Sequence, residues 1–98
     1  MNEIRPITVL LVMLALVIGV ARPAAAANVS ADCFSGGQFV TMGRADYWQD
    51  HTHDGFLTHY WYDGVQQYRS RDWGFHTGTQ YGTVNGPNLS YAGAKCPS

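Results

Sequence analysis

Residues 57–70 have the sequence LTHYWYDGVQQYRS, in which two runs rich in aromatic and β-branched residues flank Asp63-Gly64. An Asp-Gly pair between two such runs is typical of a two-residue hairpin turn, because both central positions of that turn need positive φ angles. The pattern therefore predicts a hairpin of residues 57–62 with residues 65–70. Both faces of this hairpin would carry rings, so the pattern leaves open which face is buried.

Short runs of the same kind continue on both sides of this hairpin. Glycines separate them, and a glycine inside a helix costs about 1 kcal/mol relative to alanine, so strands and tight turns are favoured over helices. A second turn is expected at Asn85-Gly86-Pro87. We predict an all-β domain, a small antiparallel β-sandwich or partly rolled sheet with five to seven strands closed by one disulfide. The candidate strands are residues 38–42, 45–49, 57–62, 65–70, 73–77, 79–84 and 88–92.

The first 27 residues are predicted to be a cleavable secretory signal. Residues 7–21 form a nearly unbroken apolar run, which has the length of a signal-peptide core and is shorter than the roughly 20 residues of a membrane-spanning helix. Pro23 ends the run, and the small residues after it predict cleavage following Ala26 or Ala27. An uncleaved N-terminal anchor is the alternative. Cleavage would leave residues 28–98 as a secreted, extracellular domain without a membrane span.

The predicted mature domain is weakly acidic. Its four basic residues and six aspartates leave a net charge of −2 with neutral histidines. Because no basic patch is visible, nucleic acid is not expected as a partner. The expected partner is a cell-envelope component or an extracellular protein, and the sequence leaves the oligomeric state open.

The two cysteines, Cys33 and Cys96, lie near the two ends of the mature domain. An exported protein meets an oxidising compartment, where such a pair is expected to form a disulfide. Closing a loop of this length restricts the unfolded chain and stabilises the fold by about 4 kcal/mol.

The densest polar cluster is residues 50–55, DHTHDG, followed closely by His59. On a strand, His51 and His53 point to the same side, so both imidazoles could bind one zinc or copper ion with Asp54 or His59 as a third ligand. The alternative is a polar loop between two strands, because Asp54-Gly55 is itself a good turn. Apart from this metal hypothesis, no cofactor is expected.

All 13 aromatic residues lie in the mature domain, where aliphatic residues are few. Exposed tyrosine and tryptophan rings stack on sugars and occur at binding hot spots, which makes Trp61 and Tyr62 candidate target-binding residues. The alternative is that most of the rings form the core.

Signatures of catalysis are absent from the sequence. The mature domain contains no glutamate, and it has no nucleophile elbow, phosphate-binding loop or HExxH motif. We therefore expect a protein that is not an enzyme.

Residues 53–59, HDGFLTH, resemble the His-x-Gly-x-x-Thr-His run of the lactococcin 972 family of secreted bacteriocins. Members of that family are short, signal-bearing chains with an antiparallel β-sandwich. The resemblance implies an antibacterial protein that acts on the cell envelope of related bacteria, with His53, Gly55 and His59 as the positions carried over. The sequence departs from the family where residues 60–62, YWY, follow the last histidine.

These observations favour a secreted, non-enzymatic protein that binds a cell-envelope or extracellular target, with bacteriocin-like action as the form implied by the resemblance. The two alternatives are a small metal- or ligand-binding module that uses His51, His53 and His59, and a structural or inhibitor-like secreted protein. The candidate target-binding residues are His53, Gly55, His59, Trp61 and Tyr62.

Overall fold

The computed structural model describes residues 24–97, and this part of the chain forms seven β-strands. The strands are β1 (Ala24–Asp32), β2 (Gly37–Ala45), β3 (Trp48–His53), β4 (Phe56–Trp61), β5 (Gln67–His76), β6 (Thr79–Pro87) and β7 (Tyr91–Lys95). They are arranged in a four-stranded sheet, in the order β1-β6-β3-β4, and a three-stranded sheet, in the order β5-β2-β7. Every pairing is antiparallel. The predicted all-β sandwich with one disulfide is therefore confirmed.

The core between the two sheets combines small, polar and a few apolar side chains. Phe39, Ala45 and Val84 are fully buried, and so are the polar side chains described in the next section. A Cβ atom added at Gly43 would lie 2.6 Å from Val84 Cγ1, so this glycine lets the sheets approach closely. Of the 13 rings, only Phe39 and Tyr62 are buried. The alternative that most of the rings form the core is wrong, because polar side chains, Thr41, Gln49 and His51, fill much of the space between the sheets.

The predicted hairpin across Asp63-Gly64 does not form. β4 belongs to the four-stranded sheet and β5 to the three-stranded sheet, and β4 instead pairs with β3 across Asp54-Gly55. Asp54 and Gly55 have φ angles of 50° and 79°, as a two-residue hairpin turn requires. Within the described residues, β3–β4 is the one connection that stays inside a sheet.

The segment after β4 crosses from one sheet to the other instead of turning back. Tyr62 donates its backbone N–H to the Tyr47 carbonyl (3.0 Å), and Tyr47 donates its own to the Gly64 carbonyl (2.8 Å). The Asp46 carboxylate accepts the backbone N–H of Gln66 at 2.8 Å. These hydrogen bonds join the segment between β4 and β5 to the segment between β2 and β3, and the buried Tyr62 ring holds both segments in place.

The turn expected at Asn85-Gly86-Pro87 is also absent, since these residues continue β6. A Cβ atom at Gly86 would lie 2.7 Å from Ala45 Cβ and 2.8 Å from the Trp48 carbonyl oxygen. The glycine is thus required by close packing of the strand rather than by a turn.

Cys33 and Cys96 form the predicted disulfide. Cys33 follows β1 and Cys96 follows β7, so the bond ties together the two ends of the domain. Most of the predicted signal, residues 1–23, lies outside the described residues, whereas Ala24–Ala27 begin β1 and pair with residues 84–87 of β6. Within residues 24–97 there is no helix that could span a membrane.

Candidate functional site

The outer face of the four-stranded sheet carries a row of three aromatic side chains, Trp48, His59 and Trp61, which we call the aromatic row. The β3–β4 register places Trp48 opposite Trp61 and Asp50 opposite His59. Because alternate residues of a strand share a face, all four side chains point away from the core. Trp61 is 76% exposed, as expected for a ring on the edge strand of the sheet that no other described residue covers.

The rings of the aromatic row are held in similar orientations. The His59 ring lies 5.9 Å from the Trp48 ring, with 27° between their planes, and 5.8 Å from the Trp61 ring, with 30° between the planes. Nδ1 of His59 is hydrogen-bonded to the Asp50 carboxylate, which fixes the imidazole between the two indoles. The row is consequently an ordered apolar surface with a carboxylate at its side.

A cleft of about 470 Å³ continues this face toward the β3–β4 turn. Leu57 and Tyr81 form its exposed apolar walls, and Thr83 and Asp54 add polar groups. Its volume lies within the roughly 300–1,000 Å³ range of small-molecule sites. The aromatic row and the cleft together form one extended surface, called here the outer-face site.

The opposite, inner face of β3 is polar and buried. Gln49 and His51 are fully buried, and Gln49 Nε2 donates to the Gln67 carbonyl (2.8 Å) and to the Tyr62 hydroxyl (2.9 Å). Because Nε2 is the donor, Oε1 of Gln49 accepts a hydrogen bond from His51 Nε2 at 2.9 Å. His51 Nδ1 is therefore the unprotonated nitrogen, and the Thr41 hydroxyl donates to it at 2.7 Å.

This network fixes a neutral imidazole in the core. Burial lowers the pKa of His51 from 6.5 to about 4, because removal from water disfavours the charged form. The Trp73 indole N–H donates to Thr41 Oγ1 at 3.0 Å, and the Thr41 hydroxyl hydrogen in turn is donated to His51 Nδ1. A proton on Nδ1 would leave that hydroxyl hydrogen without its acceptor. Such a histidine supports the structure and has no free lone pair for a ligand.

The three histidines predicted as metal ligands do not converge. His51 and His53 share one face of β3, as predicted, and this face points inward, so both are buried. His59 lies on the outer face, since it pairs with Asp50 rather than with an inward-facing residue. The structure therefore does not bring these three side chains together. Asp54-Gly55 forms the turn between β3 and β4, as the loop alternative expected, whereas His51 and His53 lie on β3 itself.

The candidate target-binding residues are divided between the two faces of the sheet. His59 and Trp61 lie together in the aromatic row, and Gly55 lies at the turn beside the cleft. His53 and Tyr62 are buried, and the Tyr62 hydroxyl donates to the Ala45 carbonyl at 2.8 Å. They position the hairpin but offer little surface to a partner.

Trp48 of the aromatic row, Tyr81 and His76 were not among the binding candidates predicted from the sequence. Tyr81 is 68% exposed beside the cleft, and it arrives there through the β1–β6–β3 pairing, which no local pattern indicates. His76 lies beside His53, with 4.8 Å between their rings. The signal that could have found it is the similarity of residues 76–78, HTG, to residues 53–55, HDG.

Comparisons with protein-family models, with curated proteins and with solved structures found no match to this chain.

Proposed function

We propose that this protein is a secreted, non-enzymatic binding protein that attaches to a carbohydrate of a cell envelope through its outer-face site. The observation that carries the proposal is the exposed aromatic row, in which Trp61 is 76% exposed although it stands beside two other rings. A contiguous apolar patch of this kind on a small domain is typical of a binding surface.

The chemistry of the face favours a sugar over other ligands. Flat rings stack against the C–H faces of pyranoses, while carboxylate and hydroxyl groups bind the sugar hydroxyls. Asp50 lies beside the aromatic row, and Asp54 and Thr83 lie at the cleft. These two carboxylates would repel an anionic polymer, so a neutral glycan is the favoured occupant.

The antibacterial part of the proposal rests on the resemblance of residues 53–59 to the lactococcin 972 family. Those residues form the β3–β4 turn and most of β4, which border the outer-face site. Binding to a wall glycan of related bacteria would place the protein where such a bacteriocin acts.

The test is a sedimentation assay with two insoluble glycans, chitin and purified peptidoglycan. The full chain is expressed with export, so that it can be processed and oxidised, and is mixed with each glycan. Trp61→Ala should weaken binding about tenfold or more, as expected for loss of a central ring. Tyr68→Ala is the matched control, because Tyr68 is 44% exposed but lies on the other sheet. Failure of the folded protein to sediment with either glycan, or equal losses in the two variants, would refute glycan binding.

A growth-inhibition assay tests the antibacterial part separately. The same preparations are spotted on lawns of several Gram-positive bacteria. Clear zones from the oxidised protein that are lost with Trp61→Ala would support bacteriocin-like action. Glycan binding without zones on any lawn would leave a wall-binding protein without toxicity.

A further inference from the structure

We propose that His53, Asp54 and His76 form a zinc site that joins the two sheets beside the β3–β4 turn. Each of these residues offers one ligand atom, and the three atoms lie within 4.8 Å of one another. His53 Nε2 lies 3.5 Å from Asp54 Oδ2. This set differs from the histidine cluster predicted from the sequence, since it brings in His76 and leaves out His51 and His59.

The protonation of His53 directs a lone pair into this site. Nδ1 of His53 lies 2.8 Å from the Tyr81 carbonyl oxygen, which can only accept, so Nδ1 carries the hydrogen. In the neutral ring Nε2 is then the unprotonated nitrogen, and it is buried without a hydrogen-bond partner among residues 24–97. The whole side chain is only 3% exposed. An unsatisfied nitrogen in such a place is unfavourable, and a bound metal ion would satisfy it.

His76 is prepared in the same way. Nε2 of His76 donates to the Trp73 carbonyl at 3.2 Å, which leaves Nδ1 as the nitrogen with a lone pair. The His53 and His76 rings are nearly perpendicular, at 89°. In both residues one ring nitrogen donates to a backbone carbonyl, which is the arrangement that orients histidines in metal sites.

The ligand set and the spacing fit zinc. Bonds of about 2.0–2.1 Å in tetrahedral geometry separate ligand atoms by about 3.3 Å, close to the distance between His53 and Asp54. Asp54 lies in an exposed turn and His76 ends β5, so both can move inward to complete the site, with water as the fourth ligand. Two imidazoles favour zinc over calcium or magnesium. Copper(II) binds most nitrogen sites more tightly than zinc does, so copper binding would say little about this particular site. Zinc is therefore the more informative probe.

Zinc at this position would connect the two sheets. His53 ends β3 of the four-stranded sheet, whereas His76 ends β5 of the three-stranded sheet. Few contacts join these strands directly, so a metal bridge between them should raise the melting temperature. The ion would also lie at the border of the cleft, which His53 and Asp54 help to line.

The test is calorimetric titration of zinc chloride into the full protein after treatment with a chelator and dialysis. We expect one zinc ion per chain and a melting temperature several degrees higher with zinc than with chelator. His76→Ala should lower the affinity about tenfold or more, and Asp54→Asn should lower it by less. His59→Ala is the control with one fewer histidine, and it should bind zinc like the original protein.

Three outcomes would overturn the proposal. They are the absence of both a binding heat and a thermal shift, unchanged zinc affinity in His76→Ala, and loss of zinc in His59→Ala. If His76→Ala fails to fold, the zinc affinity of Asp54→Asn tests the proposal, and an unchanged affinity would overturn it. The Asp54 side chain is 69% exposed, so its replacement leaves the core intact. Trp61→Ala should bind zinc normally, so failure of glycan binding and failure of this site can be told apart.

Discussion

Acid should destabilise this fold through one buried histidine, His51. Its imidazole accepts a hydrogen bond from Thr41 at Nδ1 and donates one to Gln49 from Nε2. A second ring proton, on Nδ1, would therefore take away the acceptor of the Thr41 hydroxyl hydrogen. Burial lowers the pKa of His51 from 6.5 to about 4, whereas the unfolded chain binds a proton near the ordinary value.

The direction and size of the effect follow from this difference. Between pH 6.5 and about 4 the unfolded chain binds a proton that the folded chain does not, so the free energy of unfolding falls as the pH falls. Each unit of difference between the two pKa values corresponds to 1.36 kcal/mol. The loss should reach about 3 kcal/mol near pH 4, a large share of the stability of a small domain.

One carboxyl group also responds to acid, but in a lower pH range. Hydrogen bonds from Gln66 lower the pKa of Asp46 below its ordinary 3.8. Its contribution to stability is present above that value and is lost only as the pH falls below it. Asp46 therefore does not account for a loss between pH 6.5 and 4.5, and comparison with His51→Gln isolates the part that belongs to His51.

The assay is urea unfolding at pH 7.5, 6.5, 5.5 and 4.5 for the original protein and for His51→Gln, both with the disulfide intact. The difference between their free energies of unfolding should change by about 2–3 kcal/mol across this range. If the variant is too unstable to compare, titration of the His51 ring by NMR in the original protein replaces it. Parallel pH dependence of the two proteins, or a His51 ring that titrates near pH 6.5, would refute the reasoning.

Three further predictions concern stability at neutral pH. Reducing the disulfide should lower the free energy of unfolding by about 4 kcal/mol, and a loss below about 1 kcal/mol in urea unfolding with and without reductant would contradict the expected constraint of the unfolded chain. Phe39→Ala should lower the free energy of unfolding by about 3–5 kcal/mol, whereas Trp61→Ala should change it by no more than about 0.5 kcal/mol. Similar melting temperatures for the two variants would contradict the burial of Phe39 and the exposure of Trp61. Gly43→Ala should lower the free energy of unfolding by about 1–3 kcal/mol through overpacking, because the new Cβ would lie 2.6 Å from Val84 Cγ1. The control in the same unfolding experiment is Gly64→Ala, because a Cβ at Gly64 would approach no atom closer than 3.4 Å.

Much of the fold class could be predicted because it depends on local chemistry. Glycine spacing and ring-rich runs indicated short strands, and two cysteines in a chain predicted to be exported indicated the bond between Cys33 and Cys96. The alternation of side chains along a strand correctly placed His51 and His53 on one face. Sequence could not decide which Asp-Gly pair makes the hairpin, since Asp54-Gly55 and Asp63-Gly64 carry the same local signal.

Tertiary contacts made that choice. The chain after β4 leaves the sheet because the Tyr62 ring is buried and its hydroxyl bonds to the Ala45 carbonyl and to Gln49. The same contacts gave Gln49 and His51 buried partners, so polar groups occupy space that the sequence suggested for rings. Most of the rings were left at the surface as a result.

The sequence by itself therefore determined the strand content, the disulfide and the set of side chains available for binding. The tertiary structure alone decided that Trp48, His59 and Trp61 share an exposed face and that His53 meets His76 rather than His59. The physical reason is that the alternation of residues along a strand assigns each side chain only to one face or the other of its own strand. Which faces meet depends on the pairing of distant strands and on which buried polar groups find partners there.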